Sequence, residues 1–251
     1  MRTTLVFCTL SLVTSVLAAQ GPRDRAFGMR GRSFGASRTP VTGLPYSAVE
    51  TQQSQQLLAN GNQITRSEQS NVYRDSQGRT RTERTITPPA ASGKPSFTEV
   101  TIVDPVAGYR YELNSATMTA FQTPLPPPRT SASTGSRPAR PSGPNSPTVT
   151  SSSLGTQTVN GVLATGTQVT ETIPAGAFGN AQPIQVVRIT WISTELKIPV
   201  EVKTSDPRFG TRDMELTSIV QAEPAASLFV VPSGYTIKTG HGGFPGAGHA
   251  R

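Results

Sequence analysis

The alternation of apolar and polar positions is clearest between residues 184 and 204. In Ile184–Ile192, IQVVRITWI, one face carries Ile184, Val186, Arg188, Thr190 and Ile192, and the other Gln185, Val187, Ile189 and Trp191. Large apolar groups on both faces predict a strand covered, at least in part, on both sides. Ile198–Thr204 puts Ile198, Val200 and Val202 on one face against Glu201 and Lys203 on the other. Val162–Ile173 alternates poorly, yet its Thr and Val content suits a pleated surface. Asp213–Val220 predicts another strand, with Met214, Leu216 and Val220 inward. Between these runs, Asp206-Pro207-Arg208-Phe209-Gly210 is a turn with a mechanism. The Asp bonds its own backbone, the Pro fixes φ and the Gly accepts positive φ. Pro224–Phe229 predicts one short helical turn, and Pro232-Ser233-Gly234-Tyr235 closes the segment.

The first half of the chain is written in the same style. Asn60-Gly61 between Ser47–Leu58 and Ile64–Arg74 predicts a hairpin. Strands are predicted over Arg79–Ile86, Phe97–Val103, Tyr109–Leu113 and Met118–Gln122, with turns at Asp75–Gly78, Asp104–Gly108 and Asn114–Thr117. Helical periodicity is absent from the second half; in Ser47–Leu58 the Gln-rich middle suits helix or strand, and the Asn-Gly turn after it favours strand. Neither half holds many large apolar residues, which favours one antiparallel meander sheet built from both. The fold class is therefore all-β or mainly β.

Composition sets the boundaries. Residues 1–19 have the form of a secretory signal peptide: Arg2, an apolar run, then Ala18 and Ala19 as alternative cleavage sites. The run is shorter than the roughly 20 residues a membrane span needs. Residues 20–43 form a Gly/Arg-rich basic arm expected to be disordered. Residues 44–123 form the first half of the sheet and 154–238 the second. Between them, 124–153 is a Pro/Ser-rich linker or insertion, and 239–251 is a flexible tail. The only cysteine, Cys8, lies in the signal, so the mature chain has no disulfide or thiolate chemistry. An exported chain without disulfides suits a bacterial periplasm or exterior.

The net charge of +8 suggests a polyanion partner, but its distribution changes that picture. Val41–Thr123 has seven acidic and seven basic residues, and Leu154–Ile237 seven acidic and five basic. The excess belongs to the arm, the linker and the ends. That suits a loose hold on an anionic envelope surface. It argues against a nucleic-acid groove, where aromatics would interleave with the charge.

Candidate chemistry is sparse. His241 and His249, the only histidines, lie in the tail, which leaves the β regions without a Ser-His-acid triad or histidine metal site. No cofactor is implied. A carboxylate hydrolase drawing on Glu171, Glu195, Glu201, Asp206, Asp213 and Glu215 is the weakest of three readings.

The order of motifs resembles acidobacterial-type exported proteins: Asp75-Ser76-Gln77-Gly78-Arg79, Ile102-Val103-Asp104-Pro105, Leu154 to Gly161, the Trp-Ile-Ser run, and a closing Phe229 to Tyr235. More distantly it resembles the LolA/LolB-like lipoprotein-carrier superfamily. That likeness implies a curved antiparallel sheet, an incomplete barrel, holding an apolar ligand on its concave face. The chain departs from it in having no predicted lid helices. The leading expectation is a non-enzymatic exported protein binding a lipid or lipoprotein-like ligand along the sheet. Its candidate lining is Trp191, Ile189, Val187, Val200, Val202, Met214, Leu216 and Phe229, a set that equally describes a core. The alternative is a surface module that holds anionic polymer through basic arms.

Overall fold

The protein is described from a computed structural model, over residues 40–126, 143 and 146–240. The signal peptide, most of the basic arm, most of the linker and all but two residues of the tail lie outside the described residues. Twelve strands form one sheet. They are β1 (Tyr46–Leu57), β2 (Gln63–Arg74), β3 (Thr80–Ile86), β4 (Phe97–Asp104), β5 (Tyr109–Asn114), β6 (Thr119–Pro124), β7 (Thr148–Val159), β8 (Val162–Ile173), β9 (Ile184–Ser193), β10 (Pro199–Asp206), β11 (Gly210–Val220) and β12 (Thr236–Thr239). Two 3₁₀ turns, Ala90–Ser92 and Ala226–Phe229, are the only helical pieces among the described residues.

The spatial order is β12-β6-β5-β4-β3-β2-β1-β11-β10-β9-β8-β7. Each half is a meander of hairpins, and the halves join where β1 pairs with β11. All pairings are antiparallel except β12 on β6. The sheet has two free ends and is not closed into a barrel. It is nevertheless strongly curled. Asn160, in the β7–β8 turn, donates from Nδ2 to Leu216 O (2.8 Å) and Glu215 Oε1 (2.9 Å) on β11. Those residues lie three strand intervals from β8, about 14 Å in a flat sheet at roughly 4.8 Å each. Only coiling brings them within one side chain's reach.

Curling lets a sheet without helices bury a core. Trp191, Val200, Val202, Met214 and Leu216 pack with Tyr46, Ala48, Val72, Val162, Ala164, Leu196 and Ile198, all at the end of the sheet where β1 begins and β9 finishes. A second cluster, Val100, Ile102, Leu113 and Ala120, lies under Val231 and Tyr235. Register places the two on opposite faces. Val72 pairs with Thr82 and Thr82 with Thr101, whereas Val100 and Ile102 pair with Glu83 and Arg81. The closing motif serves the second cluster. Phe229 is buried beneath the Arg79 guanidinium, 5.1 Å from its ring centre, and Arg81 Nη1 donates to Leu228 O at 2.7 Å. This carries the chain across to lay β12 beside β6.

Three expectations are corrected. Residues 148–153 belong to β7, not to the linker. Their Ser and Thr read as linker, but β-branched Thr and Val pair along β8 behind an Asn160-Gly161 turn with φ of +49° and +87°. Val220 points outward. Ser218, at φ +50°, is an extra residue opposite β1 between the Val49–Thr217 and Ser47–Val220 pairs. This bulge reverses the alternation, so Ile219 packs on the core. The second half of the sheet, expected to end at residue 238, runs on through Thr239 in the strand Thr236–Thr239, so Thr239 is not part of the tail.

Candidate functional site

Turn chemistry brings two exposed aromatic rings to one guanidinium. In the β8–β9 loop, Asn180 Nδ2 donates to Pro174 O (2.9 Å) and Gln182 O (2.8 Å), and its Oδ1 accepts from the Phe178 N–H (3.0 Å). Gly176 N–H closes the loop onto Asn180 O at 2.7 Å, and Gly176 and Gly179 both take φ near +80°. Stapled this way, the loop holds the Phe178 side chain 62% exposed.

The β10–β11 turn is fastened by Asp206. Its Oδ1 accepts from the Arg208 N–H and Nε, both at 2.9 Å, and its Oδ2 from Arg208 Nη2 at 2.7 Å. The Arg208 hydrogen bonds hold the Asp206 carboxyl below the usual carboxylate range. Gly210 takes φ +90°, and a Cβ there would lie 1.9 Å from Gln55 O, so this turn is pressed against β1 near exposed Leu57. Phe209, just before that glycine, is 56% exposed. The Arg208 guanidinium lies 5.1 Å from the Phe209 ring centre and 6.0 Å from that of Phe178. Two large apolar rings are thus kept in solvent by well-bonded turns, with a cation between them.

Six of the eight residues expected to line a ligand site do come together: Trp191, Ile189, Val200, Val202, Met214 and Leu216. They meet as packed core, in contact with one another. Val187 is half-buried outside that cluster, and Phe229 is buried under Arg79. Four of the six candidate carboxylates are tied up locally. Glu195 accepts from Gln221, Glu201 pairs with Lys203 at 3.2 Å, Asp206 with Arg208, and Glu215 with Asn160. Among the described residues no three His, Cys, Asp or Glu side chains gather as a metal site would require.

Phe178 and Phe209 were not singled out from the sequence, although a signal is present. Each is an aromatic directly before a turn glycine, in Ala177-Phe178-Gly179 and Arg208-Phe209-Gly210. That position favours neither a strand face nor a core.

No family model and no curated protein matches the chain. Solved structures align over much of it. The Pseudomonas aeruginosa MucA/MucB complex is 11% identical over 78% of this chain and 59% of the matched one, with a TM-score of 0.41. A LolA superfamily protein from Nitrosomonas europaea is 8% identical over 74% and 90%, with a TM-score of 0.32. The Mycobacterium tuberculosis lipoprotein LppX is 12% identical over 72% and 90%, with a TM-score of 0.30. These are likenesses of chain path alone, and this chain spans 59% of the MucA/MucB match.

Proposed function

We propose that this is a non-catalytic envelope protein that engages an amphipathic component at the loop end carrying Phe178, Arg208 and Phe209. The observation behind this reading is that both rings are held out of the core by turns with little freedom to fold back. Exposing large apolar groups on ordered loops is unfavourable in water and suits a surface that binds. Asp206 engages two N–H groups of Arg208. A guanidinium carries five, which leaves donors for a polar head while the rings meet the apolar part. The buried Trp191 cluster is core in this reading and does not touch the ligand.

The test is flotation of the full chain with phosphatidylcholine vesicles and with vesicles containing phosphatidylglycerol, at low and high salt. The expected result is binding that survives high salt and falls at least about tenfold in Phe178→Ser/Phe209→Ser, since each ring contributes roughly 1–2 kcal/mol when buried. Binding abolished by salt and untouched by the double substitution would instead assign the contact to the basic arms.

A further inference from the structure

β2 is twice as useful as its pairing shows. It is twelve residues long and pairs with β1 along its whole length, yet it pairs with β3 only from Ser70 to Arg74. The last rung is Ser70–Arg84; Gln69 and Thr85, which would form the next, are not paired. The strands diverge there into a cleft of about 580 Å³ lined by Ser67, Gln69, Asn71, Glu83, Thr85 and Thr98, among others.

Backbone parity shows what the cleft offers. At one end of β2, the Asp75 N–H bonds Arg79 O, so odd-numbered residues face β3. At the other end, the Leu58 N–H bonds Asn62 O, so even-numbered residues face β1. Both ends agree, because ladder groups alternate along an antiparallel strand. Thr65, Ser67 and Gln69 therefore aim their N–H and C=O groups into the cleft, and no strand pairs with them among the described residues. Thr85 does the same from β3. Gln63, the fourth such residue, already gives its N–H to Asn62 Oδ1.

We infer that this split edge receives an extended polypeptide segment, which adds a strand to β2. Unpaired ladder groups in register are the recognition element of strand addition, and they read backbone rather than sequence. A folded sheet edge cannot enter between two strands of one sheet, so the partner is a flexible segment. The flanking charge sets its chemistry. Arg84 is held by Glu99 at 2.6 Å and reaches Glu68 only loosely, at 3.9 Å, and the Glu68 side chain is 66% exposed at the rim, where a second cation can approach it. The cleft thus suits a polar, basic strand without proline at the positions facing β2. This surface lies toward the same end of the sheet as Phe209 but shares no residue with the Phe178–Phe209 turns, so either assignment can fail alone.

The test uses the full chain and a capped nine-residue peptide of alternating threonine and lysine. Amide exchange is read residue by residue. At saturating peptide, exchange at Thr65, Ser67 and Gln69 is expected to slow about tenfold or more, while Arg66 and Glu68, already bonded to β1, change little. The same peptide N-methylated at every second residue should give no protection. Ser67→Pro removes one cleft-facing N–H that β1 does not use, a change edge strands accept, and should abolish the protection with near-UV circular dichroism unchanged. No protection at millimolar peptide, equal protection by the methylated peptide, or protection confined to other strands would overturn the inference.

Discussion

The indole of Trp191 lies on Gly166, its cross-strand partner on β8. A Cβ built on Gly166 would sit 2.6 Å from Cη2 and Cζ3 of the ring, closer than atoms approach. Glycine normally weakens a strand interior, and here the aromatic ring fills the space the missing side chain leaves. Gly166→Ala should therefore destabilise the chain by about 1–3 kcal/mol, the range for an overpacked core. Denaturant unfolding followed by the fluorescence of this single tryptophan measures the loss. It also reports the displaced ring as a changed native emission spectrum.

Arg74 is the clasp between the two meanders. It is 4% exposed, yet its Nε donates to Leu44 O at 2.8 Å and its Nη2 to Leu196 O at 2.7 Å, 122 residues away. Its guanidinium also lies 4.9 Å from the ring centre of Tyr46. Arg74→Met keeps most of the volume and orphans both carbonyls, an expected loss of about 3 kcal/mol for two hydrogen bonds from a charged donor. Arg74→Lys keeps the charge without the fork and should fall between the two. Urea midpoints for the three chains check the order.

Glu50 faces the core side of β1 and is 6% exposed. Burial raises its pKa, and the hydrogen bond from Gln52 Nε2, at 2.6 Å, acts against that rise. The folded chain then holds the proton to higher pH than the unfolded chain does. Between the ordinary carboxylate pKa and the raised one, the folded state binds more protons, so stability falls as pH rises. Glu50→Gln keeps an acceptor for Gln52 and carries no charge. Its stability should match that of the native chain in acid, exceed it near neutrality, and lose the slope between. Unfolding free energies from pH 4 to 8 decide this.

Tyr46 gives the corresponding signal in alkali. Burial pushes its phenol up to about 12, although Arg74 beside it favours the phenolate. From about pH 10 to 12 the unfolded chain loses this proton and the folded chain keeps it, so stability declines across that window. Ultraviolet titration should show one tyrosine ionising near the top of the range, and Tyr46→Phe should remove that step.

Local chemistry made much of the fold legible in the sequence. β8 begins and ends where the β-branched run Val162–Ile173 does. The Asn60-Gly61 hairpin and the Asp104 and Asp206 turns form because one side chain and one glycine settle each. Ile198, Val200 and Val202 were identifiable as a buried stripe by alternation alone. The Asn160-Gly161 turn carried the same kind of signal, and only its Ser/Thr-rich surroundings made Thr148–Ser153 look like linker.

What tertiary structure alone decided depends on contacts between distant segments. Nothing near Ser218 announces the bulge that turns Val220 outward, because the bulge is defined by register against β1, some 170 residues earlier. The burial of opposite faces in the two halves follows from coiling of the second and from the return of Val231 and Tyr235 over the first. Period-2 patterning records that a face is buried, but not which element covers it. The same reason hides both candidate surfaces. Phe178 stays apart from Arg208 and Phe209 in sequence until the pairing of β9 with β10 sets its loop beside their turn. The open edge of β2 exists because β3 diverges after one particular rung, and pairing between strands is a property of two segments that neither sequence contains by itself.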